Sequence, residues 1–431
     1  MTDLPRGWVE LPIGNVCEVV GGSTPKTTID AYWGGGIPWL TPDDLARDLS
    51  QYVAGGRRYL TKAGYESCST QLMPAGAVLF TSRAPIGYVA IAKGPVCTNQ
   101  GFKSFVPTPV MSSEYLYWYL VWATPSIRNL GSGTTFAEIS GKVARTIPLR
   151  LPPRPEQDRI VAAIEEQFSR LDAARRLLVS SLDRIEGMRR AVLDQTHQSN
   201  CPQMSLAELA SLITDGDHRP PARVASGVPH LTAKHIRNGR LVFEGCTFVS
   251  EEGYEQTTRR YLPQAGDVVI TCVGTIGETA VVSGDVRFSA DRNLAAVRLP
   301  DDHFRMTPQY LQMVLSSPSY RQRLTSASGS TAQPHLYLRD LRAIKVPVPD
   351  LDDQIEIVRE TERGLSLADA LAMTVKRSLF RSAQLRRSVL EQAFFGRLVP
   401  QDAGDEAATD LLARITAEGV SRPPSRRRRR E

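Results

Sequence analysis

The chain has 431 residues, 42% hydrophobic and 23% charged, with 52 Lys and Arg against 46 Asp and Glu and a formal net charge of +6. That length leaves room for two or three domains with their own cores, and the composition is that of a soluble globular protein. Six cysteines (Cys17, Cys68, Cys97, Cys201, Cys246 and Cys272) form no CxxC pair and have no histidine at metal-ligand spacing, which argues against a zinc site or a disulfide framework.

The opening stretch MTDLPRGWVELP carries neither the basic nor the apolar segment of a secretory signal, and no early apolar run is long enough to cross a bilayer. A cytoplasmic protein with no membrane contact is expected. Residues 1–152 are rich in Gly, Pro, Thr and Val, and short β-formers such as AVLFTS and YVAIA are bounded by Gly and Pro. One helix, SSEYLYWYLVWA, interrupts them. Its aromatics Tyr115, Tyr117, Trp118, Tyr119 and Trp122 have helical spacing and read as core rather than as base-stacking groups.

From Arg154 the pattern changes. Val161, Ile164, Phe168, Leu171, Arg175, Leu178, Leu182, Ile185, Arg189 and Val192 advance by alternating steps of three and four, a heptad seam. LPPRPEQ supplies the prolines before this helix and QSNCP stops it, so residues 153–198 form a spacer of roughly 60 Å at 1.5 Å per residue. Residues 199–349 then repeat the first globule, and residues 350–396 repeat the helix. Its seam is Val358, Thr361, Leu365, Ala368, Ala372, Val375, Leu379, Ser382, Arg386 and Val389. An extension with a short helix (397–418) and a disordered basic tail (419–431) follow. Arg422, Arg426 to Arg430 and Glu431 leave +5 of the +6 in that tail, so the body is nearly neutral.

The duplication is explicit in the letters. IPWLTPDDL (37–45) answers VPHLTAKHI (228–236), LMPAGAVLFTSRAPIGYVAIA answers LPQAGDVVITCVGTIGETAVV, and RRAVLDQTHQS answers RRSVLEQAFFG. GSGTT and ASGST match as well; their Gly133 and Gly329 suit a turn, or a close approach to phosphate. A lone heptad helix leaves an apolar stripe in water, and its twin is the natural cover. The alternative is that each helix folds back on its own globule. The expected fold is α/β (α+β): two mixed globules separated by two long antiparallel coiled-coil helices, with pseudo-twofold internal duplication.

A stiff spacer with a globule at each end suits duplex DNA, and divergent polar letters in a kept apolar frame let each head read a different sequence. Base and phosphate contacts need Arg, Lys, Asn, Gln, Ser, Thr or His on exposed loops. The first head offers Ser23, Thr24, Lys26, Thr41, Ser82, Arg83, Asn99, Gln100 and Lys103. In the second head the candidates are His218, Arg219, Thr232, Lys234, His235, Arg237, Arg292 and Asn293. The change from Pro42-Asp43-Asp44 to Ala233-Lys234-His235 reads as an acidic pair becoming a basic one, as different targets require.

LPPRPEQDRIVAAIEEQFSRLD resembles the proline-rich turn and long helix that end each target-recognition domain in the DNA-specificity subunits of type I restriction-modification enzymes. RRAVLDQ, RRSVLEQAFFGRLVPQD and ATDLLARI resemble their helix ends and C-terminal extension, and IPWLTPDDL and AGAVLFTSRAPIGYVAIA their recognition-domain strands. The resemblance runs from about Gly7 to Glu418. It departs at VPVPDLDDQIEIV, where Asp353 replaces Glu156, and at the weaker second seam. It implies a subunit without a catalytic centre that binds a split site in double-stranded DNA. Two methyltransferase subunits using S-adenosylmethionine and two nuclease-translocase subunits using ATP and magnesium would assemble around it, with no cofactor in this chain.

Enzymatic signatures are missing from the letters themselves. ISGKVAR lacks the first glycine and the final hydroxyl of a phosphate loop, RPPA lacks the flanks of an amino-methyltransferase loop, and Asp43, Asp44 and Asp48 suit turn and helix-start positions. The competing reading is a non-catalytic scaffold whose globules bind protein instead of DNA.

Overall fold

The computed structural model describes residues 4–131, 137–197, 201–219, 221–284, 286–301, 305–328 and 334–417. Gly133, Gly329 and the arginine tail lie outside these ranges. The chain divides into two compact units, one of residues 1–176 with 379–431 and one of residues 177–378. Each unit therefore holds one globule and a segment of both long helices, instead of dividing at the helix ends.

In the first unit, Val9–Pro12 pairs antiparallel with Pro148–Leu151, which brings the two ends of the globule together at the start of the long helix. The main sheet has five strands in the order Cys17–Gly21, Lys103–Pro107, Val78–Ser82, Ile86–Ala92 and Tyr52–Val53. Val78–Ser82 lies inside it and is buried along its whole length, which is why its sequence is a near-continuous run instead of an alternation. A second sheet orders Arg58–Leu60, Trp33–Leu40 and Cys97–Thr98. Helix Ser113–Arg128, capped by the Ser112 hydroxyl accepting from the Tyr115 amide, packs on the strand Ile86–Ala92. Its aromatic face is core: Tyr115, Tyr117 and Tyr119 are buried, Trp118 meets Phe168 edge-on at 5.1 Å, and Tyr119 meets Phe394 at 5.2 Å.

The second unit repeats this plan. Gln203–Ser205 pairs with Lys345–Pro347, and a four-stranded sheet runs Leu212–Asp215, Leu294–Arg298, Val268–Thr271 and Thr279–Val281. A three-stranded sheet runs Thr247–Val249, Val228–Leu231 and Ser289–Ala290. The small sheets share one register. Ile37, Pro38 and Trp39 face Leu60, Tyr59 and Arg58, while Val228, Pro229 and His230 face Val249, Phe248 and Thr247. A hairpin of Ile236–Arg237 with Arg240–Leu241 belongs to this unit.

The long helices are Arg154–Asp194 and Leu351–Phe394, of 41 and 44 residues. In the first unit Ile164 and Phe168 share a core with Leu390, Ala393 and Phe394, and the Arg386 guanidinium lies 4.4 Å over the Phe168 ring while pairing with Asp172. In the second, Arg189 pairs with Asp369, and Val192, one turn further on, meets Gly364, one turn back. The segments run antiparallel. Of the expected seam residues only Arg175 is exposed; the others are buried or half-buried, including Thr361, Ala368 and Ser382. Beside the second seam Gly364 permits close approach: a Cβ there would lie 3.0 Å from a Val192 methyl. The first turns of helix Arg154–Asp194 do pack on their own globule, through Ile160, Val161 and Ile164.

Candidate nucleic-acid interface

In the first head, the loop after Cys17–Gly21 runs flush against the backbone of residues 98 and 99. A Cβ on Gly22 would sit 1.9 Å from the Asn99 carbonyl oxygen, so only glycine permits the approach. The Ser23 amide donates to the Thr98 carbonyl at 3.0 Å, and the Thr24 hydroxyl donates to Gln100 Oε1. Ser23, Thr24, Asn99 and Gln100 are thereby gathered into one polar surface beside exposed Lys26. Asn99, half-buried, accepts the Gly101 amide on Oδ1 at 2.9 Å.

Four expected readers in this head behave differently. Ser82 is fully buried and gives its hydroxyl to the Gly101 carbonyl at 3.1 Å, so it cannot reach a base. Thr41 closes a capping box with Asp44, its amide and hydroxyl donating to Asp44 Oδ2 at 2.8 and 2.7 Å. Burial raises the Asp44 pKa, but hydrogen bonds from Thr41 and Arg57 outweigh that and hold it below the usual carboxylate value. Arg83 and Lys103 share Glu138, at 3.6 and 3.3 Å, so one carboxylate holds both side chains and offsets one of their two charges.

The second head builds the same loop on Gly216, whose Cβ would lie 2.3 Å from the Ala290 carbonyl oxygen. The Asp217 amide donates to that carbonyl at 2.9 Å, and the Arg292 amide to the Asp217 carbonyl at 3.1 Å. Exposed Arg219 and Arg292 come together there. His218 Nε2 bonds to Asp215 Oδ2 at 2.9 Å, and Arg260 pairs with the same carboxylate. Asn293 turns its side chain back to Asp291, at 2.7 Å.

His235 corrects the expectation drawn from the acidic-to-basic change. It is 3% exposed, and its Nδ1 accepts the Thr232 amide at 2.9 Å, closing the same box that Asp44 closes in the first head. Burial, aided by the Lys234 charge, lowers its pKa and favours the neutral acceptor. Thr232 and His235 are therefore structural. Lys234 and Arg237 are exposed, Arg237 Nε donating to the Lys234 carbonyl at 2.8 Å.

The sequence reading missed Trp33 and Arg58. The Arg58 guanidinium lies 3.4 Å over the Trp33 ring, although 25 positions separate them. Only the strand pairing between Trp33–Leu40 and Arg58–Leu60 brings them together, and no short motif announces it.

Among the described residues no group of three or more His, Cys, Asp and Glu is placed to hold a metal ion. Burial pushes the thiols of Cys97 and Cys272 up to about 12, so neither is a ready nucleophile. No helix of the described residues is long and apolar enough to cross a membrane.

The family model described as the type I restriction modification DNA specificity domain matches residues 5–177 and 220–361. The type I restriction enzyme MjaIX specificity subunit of Methanocaldococcus jannaschii is 28% identical over 369 residues, covering 80% of this chain and 84% of that protein. The EcoBI specificity subunit of Escherichia coli is 23% identical over 448 residues, covering 95% and 92%. The HsdS subunit from Thermoanaerobacter tengcongensis matches in structure with a TM-score of 0.60 and 19% identity, over 92% of this chain and 98% of that one. A chain from a structure concerning complex assembly and conformational transition of the type I R-M system gives a TM-score of 0.72 at 18% identity, over 92% and 99%. At these identities the structural likenesses establish the fold.

Proposed function

Because the chain belongs to the type I restriction-modification DNA specificity family, we propose that it is the DNA-reading subunit of such a complex, each head reading one half of a bipartite duplex target. The observation that carries this reading is the duplicated small sheet, identical in register but different in side chains, beside a glycine-tight polar loop in each head. Ser23, Thr24, Lys26, Asn99 and Gln100 supply contacts in the first head; Arg219, Lys234, Arg237 and Arg292 supply them in the second. His218 can contribute only through its exposed edge, since Asp215 holds Nε2.

The long helices act as the spacer between half-sites and as the docking surface for partners: two methyltransferase and two restriction-translocase subunits. S-adenosylmethionine, ATP and magnesium belong to those partners, and this chain contributes recognition, not catalysis, in the cytoplasm. The body of the chain is nearly neutral, so its DNA affinity rests on locally placed cations.

The test uses the chain co-purified with its methyltransferase subunits and a random duplex library, with the bound fraction sequenced. Wild type selects a two-part motif, and binding falls steeply with salt. Replacing Lys234 and Arg237 with alanine degrades one half of the motif or lowers affinity with a shallower salt slope. Equal loss of preference in both halves, or retention of no DNA at all, refutes the two-head reading.

A further inference from the structure

We propose that Arg58, held flat on Trp33, reads a guanine edge for the first head; this deepens the DNA-reading assignment above and rests on it. Arg58 is exposed, and no carboxylate of the described residues lies within ion-pair distance of it. Its neighbours differ: Arg57 pairs with Asp43 and Asp44, and Arg47 with Asp43 at 3.1 Å. Of the arginines Arg47, Arg57 and Arg58, Arg58 alone is left without a counter-charge among the described residues, and it is the one laid on an aromatic ring.

The ring is itself fixed. Trp33 meets Trp39 edge-on, with centroids 5.0 Å apart and planes at 73°, and its indole N–H donates to the Lys26 carbonyl at 3.4 Å. Trp39 is buried and donates its indole N–H to the Ser23 carbonyl at 3.0 Å. Both indoles are therefore bonded to the loop that carries Ser23, Thr24 and Lys26. Arg58 is thus linked, through Trp33 and Trp39, to the loop that carries those residues.

A guanidinium stacked on a fixed ring has already lost much of its rotamer freedom, and its planar fork matches the O6 and N7 acceptors of guanine in the major groove. A phosphate contact would need only charge, which a free lysine provides as well. The second head supports a reading role by contrast. At the same register, where Trp39 faces Arg58, His230 faces Thr247, which is exposed but uncharged. The frame is kept and the presented group is exchanged, which is how two heads on one scaffold come to prefer different bases.

The test compares wild type, Arg58→Ala, Arg58→Lys and Trp33→Leu, each as the full chain with methyltransferase subunits, on a random duplex library; thermal melts confirm folding. Arg58→Ala should lose preference for G·C at one position of one half-site, by about tenfold or more, with the other half-site unchanged, and Arg58→Lys, which keeps donors but not the stacked fork, should lose less of it. Trp33→Leu should weaken the same position. A uniform loss across all sequences with a salt slope lower by about one in Arg58→Ala would overturn the proposal in favour of a phosphate contact. An unchanged motif in Arg58→Ala also overturns it. A wild-type complex that selects no motif refutes the DNA-reading assignment itself, an outcome distinct from all of these.

Discussion

Gln157 and Gln354 make the same three hydrogen bonds, one in each unit. The Gln157 amide nitrogen donates to the carbonyls of Val110 and Pro152 at 2.9 and 3.1 Å, and its oxygen accepts the Ser112 amide at 2.8 Å. The Gln354 amide donates to Arg305 and Pro349 at 2.8 and 2.9 Å, and its oxygen accepts the Thr307 amide at 2.8 Å. Both side chains are fully buried. Ser112 and Thr307 are the N-caps of the head helices, so each glutamine ties the first turn of a long helix to the head that precedes it.

Gln157→Leu and Gln354→Leu should therefore cost similar amounts, about 2–4 kcal/mol each, because each strands buried carbonyls and an amide. Denaturant unfolding of the single variants checks this. A cost below about 1 kcal/mol at either site would contradict the shared role.

Arg298 chelates Asp267 with Nε to Oδ1 at 2.7 Å and Nη2 to Oδ2 at 2.8 Å, and the carboxylate also accepts from Tyr261 and the Gln264 amide. Asp267 is fully buried. Arg298→Met should destabilise by roughly 3–5 kcal/mol by leaving a buried charge without its partner. The double variant Arg298→Met with Asp267→Leu should recover part of the loss; a further loss of equal size would show that the two act independently.

Burial lowers the His230 pKa from 6.5 to about 4, and its Nδ1 sits 2.9 Å from the Ser289 hydroxyl. The unfolded chain takes up a proton near 6.5 and the folded chain only near 4, so the unfolded state binds more protons within that window. The stability linked to this group is complete above about pH 6.5 and is lost as pH falls toward 4, on the order of 3 kcal/mol in total. His230→Asn should flatten the acid limb of a melting-temperature profile; an unchanged slope would exclude His230 as its source.

Gly187 lies inside the first long helix with open space where a Cβ would go, whereas Gly364 meets Val192. Gly187→Ala should stabilise by about 1 kcal/mol through helix propensity alone. Gly364→Ala should give less, since Val192 must yield by a few tenths of an ångström. Thermal melts rank the two, and the reverse order would mean that the helices are looser at Gly364 than the packing shows.

His235→Ala and Lys234→Ala separate cap from contact. The first should lower stability by about 1 kcal/mol, by removing the group that closes the Thr232 box. The second should leave melting within about 0.5 kcal/mol and act on DNA binding alone. Unaltered DNA affinity in Lys234→Ala would remove it from the interface.

The sequence by itself determined the duplicated plan, the two long helices and their facing stripes. These follow from local periodicity: Val161 to Val192 and Val358 to Val389 repeat at heptad spacing, and all of these side chains but Arg175 are covered in the fold. It also determined the aromatic core of helix Ser113–Arg128, whereas the glycine-tight approach that brings Ser23 and Thr24 to Asn99 and Gln100 came from the fold. Only the tertiary structure decided which polar groups remain open to a ligand. Ser82 is consumed by the Gly101 carbonyl, and Arg83 and Lys103 share Glu138, partners that lie far away in the chain; His235 closes the box of Thr232 three residues before it, and it is the burial of that turn that withdraws the imidazole. Strand pairing sets Arg58 on Trp33. A side chain's type is local, but its exposure and its counter-charge depend on segments far away in the chain, so a list of polar letters over-predicts contacts and misses the stacked pair.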